Sequence, residues 1–144
     1  MKDEDEPVTP DESVVRLVWG AFLRPGEPVP VQPVAFKPRD DETDGISVFR
    51  AACLNDPKDA LAAMTPDKRA RYAIAVIPVA ELLALGLSVK PAKIDAVPGH
   101  AVIPELNITA VKSDRAWWKV LQLQLVELAA KNLIPPAEPP TDAS

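Results

Sequence analysis

Histidine and cysteine are scarce in this chain. Among its 144 residues there is one histidine, His100, and one cysteine, Cys53. A closed zinc site takes about four such ligands, so a structural zinc site is excluded, and one thiol cannot form an internal disulfide. Any Ser-His or Cys-His catalytic pair must include one of these two residues. We expect no metal site and no cofactor.

The chain also lacks an excess of positive charge and a long apolar run. Its 16 lysines and arginines are outnumbered by 21 aspartates and glutamates, for a net charge of -5. Nucleic-acid affinity depends on lysine and arginine at phosphates, so we expect no nucleic-acid partner. No run approaches the ~18 apolar residues of a membrane span, and residues 1–6 are acidic where a signal peptide is basic. We therefore expect no membrane partner and a cytoplasmic protein.

Proline, by contrast, is abundant. The 17 prolines lie between apolar runs, which favours short elements joined by rigid turns. Hydrophobic residues make up 47% of the chain, which is an ordinary proportion for a folded protein. We expect a single domain at residues 9–134, with a disordered acidic tail at 1–8 and a disordered Pro-rich tail at 135–144.

The first half of the domain carries both helix and strand signals. Thr9-Pro10-Asp11-Glu12 is a capping box with proline in the first turn, and it predicts a helix from Pro10. The β-branched run at residues 14–19 competes with that prediction. Residues 45–50 alternate apolar and polar side chains, which is typical of a half-buried strand.

The second half predicts more strands and short helices. Together they indicate an α+β fold, with a small, mostly antiparallel sheet packed by a C-terminal amphipathic helix and several short helices. The elements are helices starting at Pro57 and Pro66, a buried strand at 72–79, a helix near 78–85 that ends at Gly86, and an edge strand within 97–106.

The clearest element is a C-terminal helix from Ser113 to about Asn132. One stripe of it, at 117, 121, 125 and 128, is apolar and suits a core. Further apolar residues flank or oppose that stripe, so one face cannot bury all of them. Either the helix is enclosed within the domain or a partner covers the second face. The candidate protein-interface residues are Trp118, Leu123, Val126 and Ala130.

A polar group around the strand at 45–50 is the main candidate for chemistry. Arg39 and Arg50 could bind a phosphate or carboxylate, with Lys37 nearby. His100 is the candidate general base, and Ser47 is a second candidate catalytic residue. The alternative is that both arginines pair with the neighbouring aspartates on the surface, where such pairs stabilise little.

Cys53 and the acidic segment at 40–45 are weaker candidates. Cys53 could form a dyad with His100, but a lone cysteine in an apolar stretch is more often a small buried hydrophobic residue. Residues 40–45 resemble the first half of a calcium-binding loop, yet Ala51 stands at the twelfth position, where a carboxylate is needed. We interpret this segment as an acidic turn.

Two hypotheses about function follow. The favoured one is a non-enzymatic protein-binding or accessory module, whose partner is another protein or a second copy of this chain. The alternative is a small hydrolase or transferase that acts on a phosphate- or carboxylate-bearing substrate with His100 and Arg39 or Arg50. The surroundings of His100 discriminate between them: an enzyme requires an arginine or serine close to the ring in a concave pocket.

Overall fold

The computed structural model describes residues 2–137. Within them, six strands form one sheet: β1 (Ser13–Trp19), β2 (Ile46–Arg50), β3 (Tyr72–Pro78), β4 (Lys90–Pro91), β5 (His100–Ile103) and β6 (Leu133–Ile134). Their order across the sheet is β4-β5-β2-β1-β3-β6. All neighbouring strands are antiparallel.

Helices and single turns connect the strands. The α-helices in the described residues are α1 (Pro66–Arg69), α2 (Val79–Ala84), α3 (Ile108–Ser113) and α4 (Arg115–Lys131). Short 3-10 turns lie at Gly20–Phe22, Pro33–Phe36, Ala51–Cys53 and Pro57–Leu61. The prediction of a small α+β fold with an antiparallel sheet is confirmed. No helix in this part of the chain combines the length and apolar character needed to cross a bilayer.

The predicted helix at Pro10 is wrong, because this segment is a turn leading into β1. The Glu12 carboxylate accepts a hydrogen bond from the Thr9 backbone N–H at 2.8 Å, as a capping box would. Val14, Val15 and Val18 follow at once and favour extended backbone. β1 pairs along its whole length with β3. Pairing with neighbouring strands therefore overrides a local helix signal.

The sheet separates two apolar clusters. On one face, Val14, Val18 and Val48 pack with the buried residues of α4. On the other face, Val15 and Ile74 pack with the Pro57–Leu61 turn. Successive side chains of a strand point to opposite faces, so each central strand contributes to both clusters.

Several predicted elements are confirmed, and one is placed differently. β2, β3 and α2 lie where the sequence predicts them, and Gly86 follows α2 with a φ of 82°. The strand predicted within 97–106 is β5, but it is not at the edge. It pairs with β2 on one side and with the two residues of β4 on the other, so β4 forms that edge.

α4 begins and ends close to the predicted limits. The Asp114 side chain accepts a hydrogen bond from the Trp117 backbone N–H at 3.1 Å and caps the helix. Trp118 and Val126, which we expected at an interface, are buried in the core. Ala130 is half-buried, while Leu123 is 57% exposed. The second face of α4 is therefore only partly exposed.

The expected tail at residues 1–8 contacts the domain in the part that is described. The Lys2 backbone N–H donates to the Ala52 carbonyl at 2.7 Å, and Val8 packs against the core. The Glu4 carboxylate accepts from the Gly99 backbone N–H at 2.9 Å. Most of the expected tail at 135–144 lies outside the described residues.

Candidate functional site

A cavity of about 510 Å³ opens beside the sheet and takes lining residues from both apolar clusters, Phe22 and Ala35 from the first and Leu17, Phe49 and Tyr72 from the second. Its size is that of ordinary small-molecule sites. Side chains of β1, β2, β3 and β5 contribute to its wall, and the segment from Val34 to Glu42 closes one side. The lining residues are Arg16, Leu17, Trp19, Phe22, Val34, Ala35, Lys37, Pro38, Arg39, Glu42, Ser47, Phe49, Tyr72, Ile94 and His100.

The cavity lies where β1 and β2 stop pairing. β1 and β3 are in register at all residues from Ser13 to Trp19, whereas β1 and β2 are in register only at Val14 and Val15 of β1. Just beyond, the Arg16 guanidinium donates to the Ser47 carbonyl of β2 at 2.8 Å. A side chain thus supplies a hydrogen bond in place of the backbone ladder.

Arg16 is a half-buried cation without an ionic partner in the described residues. Its Nε and Nη2 donate to the Ala35 carbonyl at 3.0 and 2.8 Å, so carbonyl oxygens accept all three of its hydrogen bonds. Within the described residues no carboxylate lies in salt-bridge contact with it. A guanidinium has five N–H donors, so two of them have no hydrogen-bond acceptor in the described part of the chain.

Burial lowers the pKa of Arg16 to about 10, and the charge of Glu42 partly opposes that shift. A pKa of about 10 still leaves the guanidinium protonated at neutral pH. Glu42 is engaged elsewhere, since its Oε1 accepts from the Arg39 backbone N–H at 2.9 Å and lies 3.4 Å from Arg39 Nε. The positive charge of Arg16 is therefore only partly offset, by the nearby charge of Glu42 and not by a direct ion pair.

The rim adds further positive charge. Lys37 and Arg39 are exposed at the mouth of the cavity. Arg39 also lies 3.6 Å from Asp41, so the predicted surface pairing with acidic neighbours is present there. The lining holds three cationic side chains and one carboxylate. This is a local excess of positive charge in a chain whose net charge is -5.

Ser47 and His100 meet on the cavity wall. His100 Nε2 lies 3.0 Å from Ser47 Oγ, and His100 Nδ1 lies 2.5 Å from the Ala92 carbonyl oxygen. Phe49 packs edge-on against the imidazole, with ring centroids 5.4 Å apart. The ring is therefore fixed on three sides, by a hydroxyl, a carbonyl and an aromatic side chain.

Aromatic side chains form much of the apolar wall. Trp19 at the end of β1 and Tyr72 at the start of β3 are register partners, with ring centroids 5.2 Å apart and planes tilted by 58°. Phe22 and Phe49 complete this wall. Such surfaces suit a flat apolar group.

Of the predicted site residues, Lys37, Arg39, Ser47 and His100 are brought together and Arg50 is not. Arg50 is fully buried, with its Nε 2.9 Å from Glu12 Oε1 and its Nη2 3.0 Å from Glu12 Oε2. Its Nη1 donates to the Glu6 carbonyl at 2.7 Å. The proposed ligand role of Arg50 is corrected: its donors hold the N-terminal segment and a buried carboxylate.

Sequence reasoning missed Arg16, Trp19 and Tyr72. One signal was available, because Arg16 is the single charged residue within the apolar run Val14–Trp19. A charge in such a run must find a special environment when the strand is buried. The pairing of Trp19 with Tyr72 depends on strand register, which the sequence does not display.

Cys53 does not join His100. It is buried, burial raises the pKa of its thiol, and the hydrogen bonds of the His100 ring go to other residues. Gly99 packs on it so closely that a Cβ there would lie 2.7 Å from Cys53 Cβ. The Cys53 side chain therefore occupies the space beside the Gly99 backbone.

The acidic segment at 40–45 forms no metal cluster in the described structure. Across residues 2–137, no three His, Cys, Asp or Glu side chains converge in a way that could hold a metal ion. Asp40 lies 3.6 Å from Lys112, and Glu42 turns back towards Arg39. These carboxylates are thus directed to neighbouring cations.

Comparison with known proteins gives no relative: no family model, no curated protein and no solved structure matches this chain significantly.

Proposed function

We propose that this protein binds a small anionic molecule in the cavity lined by β1, β2, β3 and β5. The molecule carries a phosphate or carboxylate and a flat apolar group. The observation that carries the proposal is Arg16, a half-buried guanidinium with no ionic partner in the described residues, which lines that cavity and lies close enough to the interior for burial to lower its pKa.

The guanidinium of Arg16 is costly to remove from water. A buried ion is destabilising unless an opposite charge and hydrogen bonds compensate for it. An anion at the two remaining N–H donors of Arg16 would supply that compensation through charge-assisted hydrogen bonds. Lys37 and Arg39 at the rim would attract the same anion from solution.

The apolar part of the ligand is inferred from the wall. Trp19, Phe22 and Tyr72 present aromatic surface beside the cationic group. A molecule with both a negative charge and a ring matches both features, whereas a bare inorganic anion matches one of them.

The protein-binding hypothesis has lost part of its basis. Trp118 and Val126 lie in the core, and of the expected interface residues Leu123 is the most exposed. Val120, one turn away, is 61% exposed, but two apolar side chains make a small patch, and scattered exposed apolar residues are common on folded proteins. Ligand binding in the cavity is the function that the geometry favours.

The test is a titration with benzoate, phenyl phosphate and benzamide, followed by NMR through the indole N–H signal of Trp19. Benzamide has nearly the same shape as benzoate but no charge. We expect both anions to shift the Trp19 signal, and benzamide to bind at least about tenfold more weakly, a difference of roughly 1.4 kcal/mol. An unmoved Trp19 signal, or equal binding of benzoate and benzamide, would overturn the proposal.

Two matched double variants sharpen this test. Lys37→Ala with Arg39→Ala removes two positive charges at the cavity, and Lys58→Ala with Lys68→Ala removes two exposed positive charges that do not line it. The first pair should weaken benzoate binding, and the second should leave it unchanged. Equal effects would mean that only the overall charge of the protein matters.

A further inference from the structure

Ser47 and His100 are diagonal neighbours on adjacent strands. In the β2–β5 ladder Ser47 lies opposite Val102, and Phe49 lies opposite His100. Diagonal pairs on one face of a sheet are within reach of long side chains, and here Ser47 Oγ is 3.0 Å from His100 Nε2. That is the separation of a hydroxyl nucleophile and its general base.

The second ring nitrogen fixes which proton is where. A carbonyl oxygen can only accept, so His100 Nδ1, 2.5 Å from the Ala92 carbonyl, carries the hydrogen and donates it. In the neutral ring, Nε2 is then the unprotonated nitrogen and accepts the hydroxyl hydrogen of Ser47. A nucleophile, a base and a group that orients the base are therefore linked by consecutive hydrogen bonds.

Arg16 joins this arrangement to the anion site. Its Nη1 donates to the Ser47 carbonyl at 2.8 Å, so the guanidinium lies beside the residue that carries the hydroxyl. All three side chains line the same cavity. An anion held by Arg16 would thus lie close to the Ser47 hydroxyl.

We infer that Ser47 is a nucleophile and His100 its general base, acting on a carboxylic ester that carries a separate anionic group. The inference rests on the proposed function, because the cationic side chains of the cavity position the ester. A carbonyl carbon bears no negative charge, so the serine oxygen can approach it without the repulsion that a phosphate presents.

The reaction balances with water as the second substrate. Ser47 Oγ bonds to the carbonyl carbon while its proton passes to His100 Nε2. The bond from that carbon to the alcohol oxygen then breaks, and the alcohol leaves with the proton. Water next attacks the acyl-serine and gives a proton to Nε2, and the acid departs as Ser47 Oγ recovers a hydrogen. Histidine acting as acid and base in this way accounts for about 10²- to 10⁴-fold in rate.

The experiment uses the full chain and two probes. The first is a fluorophosphonate reagent, which labels nucleophilic serines covalently, with the labelled residue identified by mass spectrometry. The second is mono-para-nitrophenyl glutarate, an ester with a free carboxylate, compared with the neutral para-nitrophenyl acetate. Because the glutarate carboxylate also attacks its own ester, every rate is the increase over hydrolysis of the same ester without protein. We compare the wild type with Ser47→Ala, His100→Gln and, as a control, Ser113→Ala at an exposed serine.

We expect label on Ser47, none on that position after Ser47→Ala, and at least about a 100-fold loss of glutarate-ester hydrolysis in Ser47→Ala and His100→Gln. Ser113→Ala should match the wild type, and the neutral ester should react more slowly than the glutarate ester. The wild-type labelling does not depend on whether any variant folds.

Two failures are distinguishable. If benzoate shifts the Trp19 signal but Ser47 takes no label, the nucleophile inference is overturned and the proposed function stands, with the Ser47 hydroxyl then a strand-to-strand contact. If neither benzoate binding nor labelling is seen, both are overturned. Hydrolysis that survives Ser47→Ala also overturns the inference.

Discussion

Two neighbouring central strands each carry an arginine, Arg16 in β1 and Arg50 in β2. Their guanidinium groups have different kinds of hydrogen-bond partner. Arg50 is enclosed by a carboxylate and by the carbonyls of the N-terminal segment. Arg16 has carbonyl acceptors alone and lines a cavity. Whether an arginine of a central strand is structural or available to a ligand therefore depends on the partners that its guanidinium has.

Arg50→Met should give the largest effect. The substitution removes the fully buried cation of Glu12 and leaves only the more exposed Lys2, 2.9 Å away. Losing one partner of a buried ion pair costs about 3–5 kcal/mol. Urea unfolding followed by circular dichroism measures the change in the free energy of unfolding. Replacing both partners, in Glu12→Met with Arg50→Met, should recover part of the loss. A loss for Arg50→Met no greater than that for Arg16→Met would break the comparison.

Lowering the pH should have the second largest effect on the free energy of unfolding, through the Glu12–Arg50 pair. Burial opposes ionisation of Glu12, but hydrogen bonds from Arg50 and Lys2 outweigh it and lower the pKa of Glu12 to about 2 from an ordinary 4.5. The unfolded chain then binds the proton more readily, so stability is present above about pH 4.5 and is lost as pH falls towards 2.

The expected size of this acid loss is roughly 3 kcal/mol, at about 1.4 kcal/mol for each pKa unit. Unfolding free energies measured from neutral pH down to pH 2 give the slope. Glu12→Gln removes the titrating group and should flatten it. A slope that is the same in Glu12→Gln would assign the acid sensitivity to other carboxylates.

Arg16→Met should lower the free energy of unfolding less than Arg50→Met does, and it should weaken ligand binding more. It leaves the carbonyls of Ala35 and Ser47 without their donor, at about 1–3 kcal/mol, but it also removes a half-buried charge that has no ionic partner. We expect a net loss of about 1–2 kcal/mol by urea unfolding, together with loss of the benzoate-induced shift at Trp19. Unchanged benzoate binding in a folded Arg16→Met protein would place the anion elsewhere.

The smallest effect concerns the rim. Lys37→Ala with Arg39→Ala should change the free energy of unfolding by no more than about 0.5 kcal/mol, because exposed ion pairs stabilise little. Thermal and urea unfolding check this value. A large loss would show that the segment from Val34 to Glu42 depends on these side chains for its fold, and the binding test with this pair would then need the single variants.

The confirmed parts of the fold share a local cause. β2 shows strict alternation, α4 has a capping aspartate and an apolar stripe, and α2 ends at a glycine with positive φ. Each signal lies within a few residues of the element it specifies. The helix predicted at Pro10 is absent although the hydrogen bond of its capping pattern forms. The residues that follow pair with β3 over seven positions, and this pairing outweighs the local helix signal.

The candidate site was predicted in part. His100, Ser47, Lys37 and Arg39 were chosen as residue types suited to the chemistry, and they lie together in one cavity. Arg50 was chosen for the same reason and lies elsewhere, because alternation along β2 places it on the opposite face from Ser47 and Phe49. Its partner Glu12 is 38 residues away in the chain, beyond the range of a local pattern.

The sequence alone determined β2, β3, the long helix, the acidic balance and the scarcity of histidine and cysteine, since each depends on composition or on neighbours in the chain. Only the tertiary structure decided which arginine is neutralised, that Trp19 meets Tyr72, and that the His100 ring is held between Ala92 and Ser47. These contacts join residues far apart in sequence, and they are set by strand register and by where β1 and β2 cease to pair.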